Sequence, residues 1–139
     1  MSERPAFREL SIPLEESLDG TLGFELLEVT ADSARSRTPV TNRVKQPYGL
    51  VHGGVYAAMA ESLASQATTI GVQDEGNIGV GLANHTSFMR PVLEGYVNAE
   101  ARLIHRGRTT WVWEIELTDD QGRLCALSRM TMAIQPRRR

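Results

Sequence analysis

The sequence predicts an α+β fold in which one long helix lies across a strongly curved antiparallel sheet of about six strands. Two observations predict it. Helical periodicity is confined to one long segment, residues 51–70, and from residue 78 onward hydrophobic residues recur with a period of two. The 139-residue chain has no internal repeat, low-complexity block or Pro/Gly/Ser-rich linker. We therefore expect one domain over residues 1–139, with its core at about 22–135, a short polar N-terminal segment and a basic C-terminal tail.

Two strands are predicted before the helix. Residues 22–30 form the first strand, residues 31–33 its turn, and residues 34–40 the second strand. Residues 41–50 are rich in Asn, Gln, Pro, Tyr and Gly and have no period, so they are predicted to form an ordered loop.

The predicted helix carries almost no charge. Val55, Met59 and Leu63 lie at i, i+4 and i+8 among alanines and other small residues. Apart from His52, Glu61 is the only acidic or basic residue of the segment. A surface helix normally has a charged outer face, so we expect this helix to be covered nearly all round.

Four strands are predicted after the helix, over residues 78–89, 96–104, 110–117 and 124–134. Turn-forming residues separate these strands, and each separator is predicted to close a hairpin. The four strands would then form an antiparallel sheet with one face available to the helix. Alternation in the third of them places on one face the residues Trp111, Trp113, Ile115 and Leu117.

Charge and composition exclude several classes of partner. The net charge of −2 and the pI of about 5.9 provide no general positive field for nucleic acid or an anionic membrane. The basic run at residues 137–139 is interpreted as a solvated tail. No segment approaches the roughly 18 uninterrupted apolar residues of a membrane span, and the single cysteine, Cys125, cannot form an internal disulfide. We expect a cytoplasmic protein with no nucleic-acid or membrane partner.

Two features near the helix start indicate chemistry. Gly53 and Gly54 lie where backbone N–H groups lack helical partners and the helix dipole is positive, so a ligand oxygen can approach them. Glu61 is an isolated carboxylate in an apolar helix. Taken singly, the glycines are explained by helix entry, Glu61 by an exposed face or an arginine partner, and His52 by an N-cap hydrogen bond.

The spacing of these residues links them. Gly53 and Glu61 are eight residues apart, which is roughly 12 Å along a helix, so one carbonyl cannot touch both within a single chain. Two helices packed antiparallel across a twofold axis would bring Glu61 of one subunit to Gly53 of the other. The hypothesis is therefore a dimer with two shared sites.

Three segments resemble a known family. They are Gly49-Leu-Val-His52-Gly53-Gly54-Val-Tyr-Ala-Ala-Met-Ala-Glu61-Ser, then Phe88-Met-Arg90-Pro91, then His105-Arg106-Gly107-Arg108-Thr109. The chain resembles the hotdog-fold thioesterases of the phenylacetic-acid-degradation (PaaI) type, and within them the branch that contains the Arthrobacter 4-hydroxybenzoyl-CoA thioesterase. The resemblance covers about residues 22–135 and implies a hotdog fold and hydrolysis of acyl-CoA thioesters.

The resemblance also implies roles for individual residues. Glu61 matches the acid that attacks the thioester carbonyl or activates water. Gly53 matches the residue whose backbone N–H polarises that carbonyl, and His52 and Gln46 match its polar companions. Ser65 stands where the Arthrobacter-type enzyme has a threonine that helps to position water.

Further matches concern the CoA portion of the substrate. Arg90, the turn with Arg106, Arg108 and Thr109, and the C-terminal Arg138 match segments that meet the nucleotide and phosphates of CoA. Asn42 and Gly54 are placed with these substrate-binding residues. For the arginines, the residues themselves leave open whether each one contacts phosphate or forms a solvated turn.

The implied partners are an acyl-CoA substrate and further copies of the chain, as dimers paired into a tetramer; no metal or other cofactor is expected. Two other functions stay open at this stage: a hotdog hydratase or dehydratase acting on acyl-CoA or acyl carrier protein, and a non-catalytic acyl-CoA binding module. Glu61 after the Gly-Gly pair favours hydrolysis. The acyl preference is open, with Tyr56, Leu82, Phe88 and Met89 as candidate pocket residues.

Overall fold

The computed structural model describes residues 10–138. Residues 1–9 and Arg139, which are the first part of the polar N-terminal segment and the last residue of the basic tail, lie outside the described part. Six antiparallel strands form one sheet in the order β1-β2-β4-β5-β6-β3. The elements are α1 (Leu18–Leu22), β1 (Glu25–Val29), β2 (Ser33–Pro39), α2 (Gly53–Val72), β3 (Asn77–Phe88), β4 (Tyr96–Arg106), β5 (Thr110–Thr118) and β6 (Leu124–Pro136). The predicted α+β hotdog fold, with six strands packed on one long helix, is confirmed.

One predicted connection is wrong. The segment after β3 was expected to close a hairpin with β4, but β3 pairs with β6, from Asn77 opposite Pro136 to Phe88 opposite Ala126. The connecting segment instead passes beneath the start of α2, where the buried Val92 accepts a hydrogen bond from the Val51 N–H at 2.9 Å. The chain therefore crosses between strands, and β3 becomes an edge of the sheet.

The N-terminal boundaries also differ from the prediction. Residue 22 was expected to begin a strand, but Leu22 ends the short helix α1, which Ser17 caps by accepting from the Gly20 N–H. Gly23, with φ of 73°, ends this helix in the left-handed conformation that glycine adopts freely. β1 therefore begins only at Glu25. The predicted loop at 41–50 contains a single 3₁₀ turn, Asn42–Val44.

The core lies between α2 and the sheet. Met59 and Leu63 on α2 are completely buried, as are Trp113 and Ile115 on β5, so the helical and strand periodicities identified the facing surfaces correctly. Each such side chain stabilises the fold by about 1.5–3 kcal/mol through removal from water. The Trp113 indole N–H is satisfied by Thr68 Oγ1 at 2.9 Å. In the described part of the chain, no helix is long and apolar enough to cross a membrane.

β3 has an exposed outer edge and a β-bulge that reverses the alternation of its side chains. Val80, Leu82, Phe88 and Met89 are large apolar side chains that remain exposed along or beside it. Its register with β6 shifts by one residue between Gly81 and Ala83, which is a β-bulge at Leu82. The bulge places even-numbered residues after it on the same face of the sheet as the odd-numbered residues before it.

Candidate active site

The start of α2 presents one free backbone donor. His52 is the N-cap, and its Nδ1 accepts from the Gly54 N–H at 2.8 Å. This bond makes Nδ1 an acceptor, so in the neutral imidazole the proton is on Nε2. The N–H of Gly53 has no acceptor within residues 10–138, as expected at the first helical position. A ligand oxygen can therefore bind at Gly53 without breaking an existing hydrogen bond.

An aromatic wall lies beside this donor. A Cβ at Gly53 would stand 3.2 Å from the Phe88 ring, so the ring lies directly over the glycine. The Phe88 and Tyr56 rings pack at 6.1 Å between centroids with a 48° tilt. Burial raises the pKa of Tyr56 to about 12, so its side chain stays neutral at physiological pH. Because Phe88 is 57% exposed, the wall is open on one side.

The loop before α2 holds Gln46 in a defined orientation. The His52 N–H donates to the Val44 carbonyl at 2.9 Å, and an isolated bridge joins Lys45 to Val51, so the loop folds back on itself before the helix starts. Gln46 Oε1 accepts from the Tyr48 N–H. The amide oxygen is thereby occupied, and the Gln46 NH₂ is the group left to donate to a ligand.

Glu61 lies two turns further along α2 and is exposed. A Cβ at Gly81 would stand 3.5 Å from its Cδ and Oε1, so the carboxylate lies against a strand position without a side chain. Ser65, one turn later, is half-buried. Glu61 is therefore an exception to the expectation that α2 would be covered nearly all round, since most other residues of the helix are buried or half-buried.

Asp19, an acid that was not predicted from the sequence, binds α2 at Ser62, the residue after Glu61. Asp19 on α1 accepts from Ser62 Oγ at 2.6 Å and from Gln66 Nε2 at 3.0 Å. Within the N-terminal segment, which was expected to be merely polar, α1 thus docks on α2 one residue from Glu61. The only sequence signal was Ser17 two residues before an acid, which is typical of a capped helix start.

The residues matched to CoA binding lie at two opposite ends of the sheet. Trp111 packs on Gly71 in the last turn of α2, and the Arg106 guanidinium lies 4.4 Å above the Trp111 ring while donating to the Ala31 carbonyl. Arg108 and Thr109 are exposed in the same β4–β5 turn. Arg138 lines a cavity of about 430 Å³ that also includes Thr69 and Gln73 of this end.

Arg90 lies at the opposite end of β6. Its N–H donates to the Cys125 carbonyl, whereas the Thr109 carbonyl accepts from Ile134. Cys125 and Ile134 are nine positions apart on β6, which is roughly 30 Å. Within one chain the structure therefore groups the Arg106–Thr109 turn with Arg138 and separates them from Arg90. Asn42 is exposed in the 3₁₀ turn, where its carbonyl accepts from Lys45.

Comparison with known proteins gives a consistent result. Residues 48–126 match the family model described as the thioesterase superfamily. The 1,4-dihydroxy-2-naphthoyl-CoA hydrolase of Escherichia coli is 37% identical over 120 residues, which cover 86% of this chain and 88% of that protein. A proofreading thioesterase of Cronobacter turicensis is 39% identical over 113 residues, covering 81% of this chain and 82% of that one. The crystal structure of a Haemophilus influenzae thioesterase superimposes with a TM-score of 0.84 at 35% identity, covering 88% and 85% of the two chains.

Proposed function

Because the chain belongs to the thioesterase superfamily and is a thioesterase, we propose that it hydrolyses acyl-CoA thioesters at sites shared between two subunits. The main support for a shared site is the distance between the Gly53 N–H and the Glu61 carboxylate within one chain. The free Gly53 N–H and the Glu61 carboxylate lie on one helix, eight residues apart, and a helix rises about 1.5 Å per residue. A thioester carbonyl that meets both groups therefore takes them from different chains.

Two lines of support favour an aromatic acyl-CoA within the range of possible substrates. The Escherichia coli relative acts on 1,4-dihydroxy-2-naphthoyl-CoA. In this chain, the exposed Phe88 ring, which packs on the buried Tyr56 ring, forms an apolar wall beside the Gly53 donor, and aromatic rings pack well against such walls. The His52-Gly53-Gly54 run with Glu61 eight residues after Gly53 further supports the PaaI-type branch that contains the 4-hydroxybenzoyl-CoA thioesterase.

In the proposed reaction the thioester oxygen accepts a hydrogen bond from the Gly53 N–H, with the Gln46 NH₂ and His52 Nε2–H as neighbouring donors. Glu61 of the other subunit then acts in one of two ways. Its carboxylate either adds to the carbonyl carbon and expels the CoA thiolate, leaving a mixed anhydride for water to cleave, or it takes a proton from the attacking water. Ser65, one helical turn from Glu61, is the group proposed to position that water.

The exposed edge of β3 supports the subunit arrangement. β3 runs antiparallel to α2, because Gly81 adjoins Glu61 and Phe88 adjoins Gly53. A twofold axis near the midpoint of β3 would pair two such edges and extend the sheet across the dimer. The same axis would place Gly81 of one chain opposite Phe88 of the other, and so Glu61 opposite Gly53. The exposed apolar side chains of this edge would be covered, and two dimers would then form the tetramer.

For the CoA portion, we propose that Arg108, Thr109 and Arg138 of one subunit contact the nucleotide phosphates and that Arg90 contributes from the partner. Arg106 already stacks on Trp111 and donates to a backbone carbonyl, so we expect it to contribute less to phosphate binding than the other arginines. Asn42 and Gly54 are proposed to line the path by which the substrate reaches the Gly53 N–H. The Gly54 N–H already donates to His52, so Gly54 provides space for the substrate and no hydrogen-bond donor.

The test is release of free thiol from a panel of aryl-, phenylacetyl- and fatty acyl-CoAs by wild type and Glu61→Gln. We expect release by wild type, with the fastest turnover on an aryl substrate, and a loss of at least about a hundredfold in the variant. Absence of release from every substrate, or equal rates for the two proteins, would contradict the proposal. A monomer by light scattering would contradict the shared site.

A further inference from the structure

We propose that Asn84 is a positioning residue that holds the Glu61 turn of α2 against β3, an inference that rests on the proposed thioesterase function. Asn84 lies on β3, and its Nδ2 donates to the Ala57 carbonyl on α2 at 2.9 Å. Ala57 is midway between Gly53 and Glu61. The bond therefore ties the strand to the helix at the centre of the segment that carries both reactive groups.

The β-bulge at Leu82 is what points Asn84 at the helix. Before the bulge, Gly79 and Gly81 face α2, where their Cβ positions would meet Thr68 and Glu61. In a regular strand, the odd-numbered residues after them would face the helix as well. The one-residue shift between Gly81 and Ala83 reverses this order, so Asn84 faces α2 and His85 faces away.

A chain of hydrogen bonds fixes the orientation of the Asn84 amide. Its Oδ1 lies 2.7 Å from Thr86 Oγ1, and Thr86 Oγ1 lies 2.9 Å from Oγ of the buried Ser128. A threonine hydroxyl has one proton, so the Thr86 hydroxyl donates either to Asn84 Oδ1 or to Ser128 Oγ, and both oxygens lie within hydrogen-bonding distance of it. Because Oδ1 of Asn84 faces this hydroxyl, the Asn84 NH₂ faces the helix, where the Ala57 carbonyl can only accept.

The acceptor of this chain is bonded to Glu61 itself. In the α-helical pattern, the carbonyl of residue 57 accepts from the N–H of residue 61. A carbonyl oxygen has two lone pairs and can hold both donors. Asn84 is thus one peptide group away from the Glu61 backbone, although its side chain contacts no reacting atom. Loss of the bond would let the Glu61 turn move relative to Gly81, against which the carboxylate lies.

Four variants test this role: Asn84→Ala, Asn84→Asp, Thr86→Val and, as matched control on the opposite face of β3, Ser87→Ala. Asn84→Asp keeps the shape of the side chain and replaces the donor by an acceptor. We measure kcat and KM for thiol release from the best acyl-CoA, together with Tm and oligomeric state. We expect kcat of both Asn84 variants to fall about tenfold with KM within about twofold of wild type, because one net hydrogen bond is lost near the reacting group.

Thr86→Val should lower kcat by about threefold, because the amide loses its anchor and keeps its donor, and Ser87→Ala should match wild type. Wild-type kcat in Asn84→Asp would overturn the inference, since shape alone would then suffice. So would a kcat loss that tracks loss of dimer or of folded protein. If Asn84→Ala does not fold, Asn84→Asp and Thr86→Val decide by the same criteria.

The two proposals fail in different ways. Unchanged activity of the Asn84 variants alongside an inactive Glu61→Gln variant would overturn the positioning role alone. Activity of Glu61→Gln equal to wild type, or no thiol release by wild type, would overturn the proposed function and this inference with it.

Discussion

Subunit complementation tests the shared site directly, by placing one defect on each of two chains. One chain carries Glu61→Gln and the other carries Gly53→Pro. Proline suits the first position of a helix and has no N–H, and the extended conformation of His52, with ψ of 134°, is compatible with a following proline. Gly53→Ala is the matched control. It keeps the N–H and adds a Cβ at 3.2 Å from the Phe88 ring, where proline also places one.

The expected magnitudes follow from the geometry. Gly53→Pro should lower kcat by about a hundredfold or more, as loss of an oxyanion donor does elsewhere, and Gly53→Ala by far less. In an equal mixture of the two inactive chains, about half of the dimers are mixed if association is random. In a mixed dimer, one site carries both defects and the other carries neither. The mixture should therefore recover about one quarter of wild-type activity.

The reciprocal mixture gives the opposite result. A chain with both substitutions is mixed equally with wild type, and every mixed dimer then has one defect in each site. Only wild-type dimers remain active, so activity should fall to about one quarter of wild type instead of about one half. Each mixture is unfolded, refolded together and assayed for thiol release. Recovery no higher than the mean of the two single variants, with about one half in the reciprocal mixture, would refute the shared site.

Three further predictions concern stability. Thr68→Val removes the acceptor of the buried Trp113 indole N–H and should lower the free energy of unfolding by about 1–3 kcal/mol, whereas Thr68→Ser should lower it less; urea unfolding checks this. Burial raises the pKa of Tyr56 to about 12, so its neutral side chain contributes fully to the free energy of unfolding below pH 10. Between pH 10 and 12, the free energy of unfolding of wild type should fall by up to about 3 kcal/mol relative to that of Tyr56→Phe. Equal alkaline loss in both proteins would contradict it. Hydrogen bonds from Arg123, chiefly its backbone N–H, lower the pKa of Asp119, so Asp119→Asn should have a lower Tm than wild type at pH 7. This difference should begin to shrink as the pH falls below the usual carboxyl pKa and should vanish below the lowered pKa of Asp119, and a difference that persists there would contradict the assignment.

The elements of the fold were predictable because burial imposes periodicity on the sequence. Met59 and Leu63 recur at helical spacing and Trp113 and Ile115 at strand spacing, and all four lie in the core. Strand order was not predictable from the same patterns. A turn-rich segment after residue 89 fits a hairpin as well as a crossover, and the choice depends on a distant contact, the burial of Val92 beneath the helix start.

The candidate site was predictable only where residues are close in sequence. Gly53 and Glu61 stand out because their spacing on one helix has a direct geometric meaning. The orientation of Asn84 was not predictable, because it depends on the bulge at Leu82, and a regular strand would have directed His85 at the helix. Asp19 was missed for a similar reason: its partners on α2 are more than forty residues away.

The charge-poor surface of α2 and the exposed edge of β3 are explained by the same arrangement. An apolar helix needs cover, yet Glu61 is exposed in the single chain, and the edge beside it exposes Leu82 and Phe88. An open strand edge with apolar side chains favours pairing with another chain. Pairing there would cover the helix, protect the edge and bring a second Gly53 to Glu61 in one step. Under this proposal a charged residue on the outer face of α2 would harm assembly and catalysis together, which accounts for a helix whose one acid is the reactive one.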